Sequence, residues 1–221
     1  NATGEDFVDA LAQGDRELTA AFRTFTHQPG IPRVTVALKC DANPRLELTQ
    51  SRFLPSGVKD TRASLWWIPV TVRTPSGTAQ ILLKEKTGQL PLPDAACPAW
   101  VQANVHGSGY YRAVYAPGQM AVLMERANLS VPELLANLSD MQALTESGDL
   151  SVTELLTIAM RFSDHPTREV AESALTAISR VDVMLEPGQR AAYAKVWHPR
   201  LANGRISWGC WSSPATARKT G

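Results

Sequence analysis

The feature that most constrains the fold is a change in the spacing of apolar residues near residue 117. Between about residues 32 and 116, apolar and polar residues alternate, as in Val34-Thr35-Val36 and Val70-Thr71-Val72. A period of two is typical of strands that bury one face. From about Pro117 onward, apolar residues recur every three or four positions, which is the period of an amphipathic helix. The pattern therefore predicts a β region followed by an α region.

The β region is predicted to hold six or seven short strands, separated by turn signals such as Pro75-Ser76-Gly77. Because no helical segment interrupts them, an antiparallel β-sandwich is expected. Pro69 lies inside a strand pattern and cannot donate to a ladder, so we expect it at an edge or a bulge. Trp66 and Trp67 fall on opposite strand faces. We interpret them as a core and an interface tryptophan, with a sugar-stacking platform as the alternative.

Capping signals predict where helices begin in the α region. Ser130–Glu133 and Ser151–Glu154 both place Ser three residues before Glu, the spacing of a capping box. Gly148 is expected to end the helix between them, and a later helix is predicted from about Pro187 to Trp197. Short loops between such helices favour antiparallel neighbours. The predicted fold is therefore an antiparallel β-sandwich followed by an α-helical hairpin array.

Composition excludes several classes of function. The 221 residues contain 22 Lys and Arg against 21 Asp and Glu, a net charge of +1, and neither half of the chain is polarised. This balance predicts no nucleic-acid partner, and no apolar run approaches the roughly 18 residues that cross a bilayer. Cys40, Cys97 and Cys210 are far apart, so we interpret them as free thiols in a reducing compartment, the cytoplasm. A single disulfide bridge stays open as the alternative.

A search for catalytic motifs finds none. The histidines His27, His106, His165 and His198 do not begin an HExxH zinc motif, and no two lie within one helical turn. No G-x-S-x-G nucleophile elbow occurs. Gly107–Gly109 precedes a strand-like segment rather than a helix, so it is not a phosphate loop. The sequence therefore predicts no catalytic residue and no metal ligand in this chain.

Short motifs follow one another along residues 25–115 in an order that is specific as a set. The matching residues are Phe25, Gln28, Gly30, Pro32, Gln50, Arg52, Phe53, Trp66, Ile68, Pro69, Asn104, Gly109, Tyr110, Tyr111, Arg112 and Tyr115. In this order they resemble the segment after the thermolysin-like domain of the M1-family zinc aminopeptidases (aminopeptidase N-like), with Phe25 where the family usually has Trp. Residues 117–200 resemble the start of that family's helical domain through Asp140, Ala143, Leu144 and Gly148.

The resemblance implies a division of the chain. Residues 1–31 are expected to be a tag remnant and the end of a catalytic-domain helix, residues 32–116 a β-sandwich linker domain, and residues 117–221 the N-terminal part of a helical cap. In the family, the zinc ligands and the GxMEN motif precede this segment. The implied function is a non-catalytic C-terminal fragment that supports and caps a catalytic domain removing N-terminal residues from peptides. Zinc belongs to the parent alone, and the implied partners are the missing catalytic domain and the parent's peptide substrates.

Two other functions compete with this interpretation. The parent could be an M1-like scaffold that lacks peptidase activity, or the chain could be a free-standing binding module with an apolar groove near Trp66 or Trp67. Physical reasoning adds two expectations. Arg52 and Arg112 sit in strand patterns next to aromatic residues, so we expect them to be partly buried and bound to loop carbonyls or carboxylates. An exposed apolar surface is expected around Phe22 and Phe25.

Overall fold

The structure is a computed structural model that describes residues 3–62 and 64–202. They form two compact units that divide between Ser179 and Arg180. The described part of the first unit contains two N-terminal α-helices, two β-sheets, a 3₁₀ helix (Val105–Gly107) and four further α-helices. The second contains a short 3₁₀ helix and one long helix, and each unit is described separately below.

The chain begins with helices α1 (Gly4–Ala12) and α2 (Arg16–Thr26). The Asp15 carboxylate caps α2, accepting hydrogen bonds from the amides of Glu17 and Leu18 at 2.8 and 3.0 Å. Helix α1 was not predicted. It begins with a capping box in which Thr3 and Asp6 bind each other's backbone amides. Asp takes the place of the usual Glu or Gln in this box, so the sequence signature is weaker.

Seven strands lie within the described residues: β1 (Pro32–Lys39), β2 (Arg45–Arg52), β3 (Ile68–Thr74), β4 (Gly77–Leu83), β5 (Thr87–Pro91), β6 (Gln102–Ala103) and β7 (Arg112–Tyr115). They form one sheet in the order β5-β2-β1-β7 and another in the order β4-β3-β6. All neighbours are antiparallel except β1 and β7, which run parallel. The predicted β-then-α layout is confirmed. The parallel pair departs from the predicted all-antiparallel sandwich because β7 returns to the first sheet after β6 has paired in the second.

The core between the strands follows the predicted alternation. Its buried members include Val34, Val36, Leu46, Leu48, Trp66, Ile68, Val70, Val72, Leu83 and Ala113. Burying such side chains contributes about 25 cal/mol per Å² of apolar surface. Pro69 pairs with Leu82 of β4, while β6 pairs only with Val72 and Arg73. The strand is therefore open beside Pro69, as expected for a residue that cannot donate to a ladder.

The two tryptophans differ in the way the sequence predicted. Trp66 is fully buried, whereas Trp67 is partly exposed and lies beside α2. The Trp67 amide donates to Thr24 Oγ1 at 3.1 Å, and Lys84 Nζ lies 4.5 Å from the Trp67 ring centroid. Lys84 also forms an ion pair with Glu17. Helix α2 and Lys84 therefore cover part of Trp67, which leaves less of its ring exposed for stacking against a sugar.

The prediction of free thiols is wrong for two of the three cysteines. Cys40 and Cys97 form a disulfide with their Cα atoms 5.2 Å apart. Cys40 follows β1, and Cys97 lies in the segment that leads to β6, so the bond links the two sheets. This pairing could not be predicted from sequence because 57 positions separate the two cysteines. Cys210 lies outside the described residues.

Four helices follow the sheets: α3 (Gln119–Arg126), α4 (Val131–Ser147), α5 (Val152–Phe162) and α6 (Arg168–Ser179). Helices α4, α5 and α6 pack against one another. The capping box predicted at Ser130 is confirmed, and Gly148 ends α4 at a φ of 83° that favours glycine. At Ser151 only half of the box forms. Ser151 Oγ accepts from the Glu154 amide at 3.1 Å, but the Glu154 carboxylate does not return to the cap.

The second unit contains a 3₁₀ helix (Arg180–Met184) and α7 (Pro187–Ala202). Helix α7 begins at the predicted residue and extends beyond the predicted end at Trp197. The Glu186 amide donates to Gln189 Oε1 at 3.1 Å just before the helix begins. Two tryptophans near the C-terminus, Trp208 and Trp211, do not suit a solvated tail, so the sequence predicts that this stretch docks on another surface; both residues lie outside the described residues. None of the described helices is both long and apolar enough to cross a membrane.

Candidate functional site

Gln50, the first residue of the Q-x-R-F motif, joins the two sheets from inside the core. Its side chain is buried in β2. Gln50 Oε1 accepts from the Trp66 amide at 2.9 Å, and Nε2 donates to the carbonyls of Trp66 and Glu85 at 2.8 and 2.9 Å. A buried amide side chain is stable only when both its donors and its acceptor are satisfied. Gln50 therefore holds the segment entering β3 and the turn before β5.

Arg52, from the same motif, does not make the contacts predicted for it. Its guanidinium is partly buried, yet Nε is shielded from solvent and has no hydrogen-bond partner among the described residues. The group packs instead against the backbone of Gly30, where a Cβ would lie 2.7 Å from Arg52 Nε. Gly30 has a φ of 111°, which also favours glycine. The prediction of a bound carbonyl or carboxylate is wrong here because the available contact is a glycine surface.

The Asn104 and G-Y-Y-R motifs form one tight loop. Asn104 has a φ of 87°, and its side chain accepts from the Gly109 amide at 2.7 Å and donates to the Gly109 carbonyl at 3.1 Å. A side chain at position 109 would overlap the ring of Tyr111, so the loop needs glycine there. Tyr110 is exposed and meets Phe25 edge to face, with ring centroids 6.2 Å apart. The loop thus connects α2 to β7.

The motif tyrosines at β7 serve the core. Tyr111 is buried, and burial raises the pKa of its phenol well above the usual range. Tyr115 Oη accepts from the Ala103 amide at 2.9 Å, a contact that joins β7 in one sheet to β6 in the other. Burial likewise raises the pKa of Tyr115. Both phenols stay protonated at physiological pH, and neither is placed to act as a base.

Three buried polar residues of α4 form a row that faces the sheets. They are Glu133, Asn137 and Asp140, which are four and three positions apart and therefore share one helix face. We call these three residues the α4 seam. Asn137 Nδ2 donates to Gln102 Oε1 at 3.0 Å, and the two acidic residues each pair with an arginine of a strand. The seam therefore fastens the helices to both sheets with hydrogen bonds and buried ion pairs.

Glu133, at one end of the α4 seam, stays ionised. Burial acts to raise its pKa, but the amides of Ser130 and His106, the Ser130 hydroxyl and the Arg73 guanidinium together hold that pKa below the ordinary value. Glu133 Oε2 lies 2.9 Å from Arg73 Nη2, and Arg73 also lies over the Trp100 ring at 5.2 Å. The Glu133 carboxylate thus completes the capping box of α4 and also forms an ion pair with Arg73 of β3.

Asp140, at the other end, is in a more demanding environment. Its Oδ1 accepts from Arg112 Nη1 at 2.8 Å and its Oδ2 accepts from the Ala113 amide at 3.0 Å. Burial nevertheless outweighs these contacts and raises the pKa of Asp140 to about 6. Arg112 also donates to Ser139 Oγ at 2.9 Å. The contacts expected for Arg112 are therefore present, in contrast to those of Arg52.

Sequence reasoning singled out Arg112 and Asp140 but missed other members of this network. Arg73, Gln102 and Asn137 received no role, because each looked like an ordinary polar residue on a strand or helix face. A usable signal was the spacing of Glu133, Asn137 and Asp140, which places three polar residues on one face of the helix next to the apolar residues Leu134, Leu138 and Met141. Such a row predicts buried partners on the neighbouring layer.

The apolar surface expected near Phe22 and Phe25 lies further toward the N-terminus. Phe22 and Phe25 are partly buried. The large exposed side chains of α1 and α2 are Phe7, Leu11 and Leu18, with 63%, 46% and 40% of their surface exposed. We call these three residues the α1–α2 patch. The shift occurs because Phe25 packs against Tyr110 of the sandwich.

Within residues 3–62 and 64–202, no group of three or more His, Cys, Asp or Glu side chains could hold a metal ion. The buried carboxylates of Glu133 and Asp140 pair with arginines of the strands, and such pairs fix the relative position of the layers. The α4 seam therefore joins the helices to both sheets.

Comparison with known proteins adds the family context. The chain is 30% identical over 168 residues to the puromycin-sensitive aminopeptidase of Caenorhabditis elegans, covering 72% of this chain and 18% of that protein. It is 26% identical over 184 residues to the mitochondrial aminopeptidase 2 of Saccharomyces cerevisiae, covering 81% and 19%. It is 32% identical over 173 residues to the endoplasmic reticulum aminopeptidase 2 of Bos taurus, covering 72% and 17%.

No protein-family model matches the chain. The chain spans about a fifth of the length of the curated relatives that it matches, between 17% and 19% of the three named.

Proposed function

Because the chain resembles part of the M1-family aminopeptidases over most of its length, we propose that it is a non-catalytic C-terminal portion of a zinc aminopeptidase. In this role it supports and caps the catalytic domain that removes N-terminal residues from peptides. The observation that carries the proposal is the similarity of 72% of the chain to a fifth or less of a longer aminopeptidase. Zinc and substrate would be bound by the parent outside this chain.

The structure offers a surface suited to that role. The α1–α2 patch consists of Phe7, Leu11 and Leu18, on helices that precede the sandwich. Large exposed apolar side chains on two neighbouring helices favour burial against another protein surface. A catalytic domain joined upstream would meet these helices first, so the patch supports a contact with it.

The proposal is tested with the purified chain and with the parent. The chain alone is expected to show no hydrolysis of aminoacyl-anilides, with or without added zinc, and no stoichiometric zinc in elemental analysis. In the parent, Phe7→Asp with Leu11→Asp should lower aminopeptidase activity at equal protein concentration, because charged residues would be forced into an apolar contact.

Val58→Asp is the matched control, because Val58 is also an exposed apolar residue, 53% exposed, but lies away from α1 and α2 in sequence. This variant should retain full activity. Chelator-sensitive hydrolysis by the chain alone would overturn the non-catalytic assignment, and unchanged activity in the double variant would overturn the docking role of the α1–α2 patch.

A scaffold without peptidase activity is the alternative. It would use the same α1–α2 patch and α4 seam, since neither depends on zinc. The residues upstream of this chain distinguish the two functions, because an HExxH motif with its distal Glu is the zinc site of an active M1 enzyme.

The cellular compartment also belongs to the proposal. A cytoplasmic location was predicted from the interpretation of the cysteines as free thiols. The Cys40–Cys97 disulfide favours an oxidising compartment instead, because structural disulfides persist there and are reduced in the cytosol. Two of the relatives named above have names that refer to mitochondria and to the endoplasmic reticulum, so the family resemblance does not favour one compartment.

A further inference from the structure

We propose that a cavity between β7 and helices α3, α4 and α5 binds an alkylammonium group, such as a lysine side chain, with Glu154 as its counter-ion. The cavity lies within the first compact unit and is separate from the α4 seam and the α1–α2 patch. Its function is recognition of a cation carried on an apolar stem.

The size and lining of the cavity fit one long side chain. Its volume is about 200 Å³, and its walls include Val114 of β7, Met120 of α3, Leu144 of α4 and Leu150 of the loop before α5. Binding clefts for drug-sized ligands are roughly 300–1,000 Å³, so this cavity is suited to a smaller group. The apolar walls favour a hydrocarbon stem rather than a fully polar ligand.

Glu154 supplies the polar end of the cavity. The sequence predicted that its carboxylate would complete a capping box, yet only the Ser151 hydroxyl makes its half of the box. The Glu154 side chain lines the cavity instead, and its Oε1 is shielded from solvent without a hydrogen-bond partner among the described residues. A shielded carboxylate oxygen is unfavourable unless it meets a donor, so this atom selects for a ligand that donates a hydrogen bond.

The charge balance around the cavity favours a cation. Asp149, which also lines the cavity, is already paired with Arg33, whose Nη2 lies 2.8 Å from Asp149 Oδ1. Among the described residues, no lysine or arginine lies in the cavity wall itself. Glu154 therefore contributes a negative charge with no ion pair among the described residues, and an anionic ligand would be repelled by it. The Asp149–Arg33 ion pair positions the cavity wall, and the Glu154 carboxylate binds the cation.

A primary ammonium suits this site better than a guanidinium. The ammonium is a compact charge on a four-carbon stem, whereas a guanidinium is a planar fork that matches two carboxylate oxygens. Here a single carboxylate oxygen, Glu154 Oε1, is shielded and unpartnered. The same chemistry is present in a free alkylamine and in a lysine of a peptide, so the test includes both.

The test is titration of the whole chain by calorimetry or NMR with Nα-acetyl-lysine N-methylamide and with n-butylammonium. The norleucine counterpart, which has the stem without the charge, is the ligand control. We expect saturable binding of at least one cation and none of the norleucine compound. Glu154→Gln should weaken the binding by about tenfold or more, the range expected when a charged hydrogen bond is lost.

Glu169→Gln is the protein control, since it removes one carboxylate from an exposed position of α6 and should leave the affinity unchanged. Ala116→Phe places a ring at the cavity wall and should block binding while Glu154 is retained. Circular dichroism and thermal unfolding establish that each variant is folded. Binding of the lysine compound alone identifies a peptide ligand, and binding of butylammonium alone identifies a free amine.

Three results would overturn the proposal: no saturable binding of either cation, equal binding of the norleucine compound, or full affinity in folded Glu154→Gln. A fall in affinity with rising salt is also expected, because the attraction is between charges. Aminopeptidase activity plays no part in these measurements, so their failure is distinct from a failure of the proposed function.

Discussion

Asp140 lies where burial and ion pairing act in opposite directions on one carboxyl group. Its contacts with Arg112 and the Ala113 amide favour the charged form, while the surrounding protein disfavours it. The result is a pKa of about 6 in the folded chain, against an ordinary value of 3.8. Glu133 has more donors around it and its pKa moves the other way. At the scale of single residues, the two ends of the α4 seam differ in pKa because the Glu133 carboxylate accepts more hydrogen bonds than the Asp140 carboxylate does.

The pH dependence of stability should therefore report on Asp140. The folded state holds the Asp140 proton more tightly than the unfolded state, so this group stabilises the fold most below about pH 4 and loses that contribution as the pH rises through about 6. The loss is at most about 3 kcal/mol, from 1.36 kcal/mol per pKa unit.

Asp140→Asn removes this titration while keeping the size of the side chain. Urea unfolding of both proteins between pH 4 and pH 7 measures the difference in free energy of unfolding. The native protein should lose stability relative to the variant as the pH rises over that interval. A difference that stays constant with pH would contradict the raised pKa.

At the scale of elements, the Cys40–Cys97 disulfide joins what the hydrogen-bond ladders leave separate. The strands of the two sheets do not share a ladder, so side chains such as Gln50 and Tyr115 and this one covalent bond connect them. The bond spans 57 positions, and closing a loop of that length restricts the unfolded chain by about 4 kcal/mol in the chain-entropy account.

Replacing both cysteines, Cys40→Ser with Cys97→Ser, should lower the free energy of unfolding by about 2–4 kcal/mol. Chemical denaturation with and without reductant measures the change. The native protein in reductant should match the double variant, and Cys210→Ser is the control that leaves the pair intact. Equal stability of the native protein with and without reductant would contradict the proposed contribution.

The strands were predictable, and several of their partners were not. Val34, Val36, Val70 and Val72 could be assigned to the core because alternation alone decides which face of a strand is buried. The cap at Ser130 could be assigned because it depends on residues three positions apart. Contacts of this kind are encoded locally.

The missed features depend on where a distant segment returns. Asn137 meets Gln102, 35 positions away, and nothing near either residue in sequence identifies the other. The same holds for the disulfide and for the parallel pairing of β1 with β7. The prediction for Arg52 failed for a different reason. Its guanidinium lies against the backbone of Gly30, and Arg52 Nε has no hydrogen-bond partner among the described residues. The cavity at Glu154 could not be predicted because the sequence pattern assigned the Glu154 carboxylate to a capping box, and only the Ser151 half of that box forms.

At the scale of the whole molecule, the first compact unit extends across the boundary predicted at residues 116 and 117. Strands and helices up to Ser179 belong to that unit. The α4 seam supplies partners for Arg73, Gln102 and Arg112, all of which lie before the boundary. The sandwich alone would therefore hold buried or half-buried polar groups without partners.

Shortening the chain should reveal this dependence. A chain that ends at Ala116 is expected to lose cooperative unfolding and dispersed NMR signals, because the arginines lose Glu133 and Asp140 and the buried Val114 becomes exposed. A chain that ends at Ser179 keeps the whole seam and should unfold in one transition. A stable, well-dispersed 1–116 fragment would show instead that the sandwich is an independent domain.

The parallel pairing of β1 with β7 has a consequence for synthesis on the ribosome. Strand β1 ends at Lys39, yet its neighbour on one side begins only at Arg112. While the intervening residues are translated, that edge of β1 carries unpaired amides and carbonyls, the kind of edge that recruits other chains. The nascent chain can close the sheet only after Tyr115 has left the exit tunnel, and the helices that cover β7 follow immediately. Chaperone binding during translation should accordingly be concentrated between these two points.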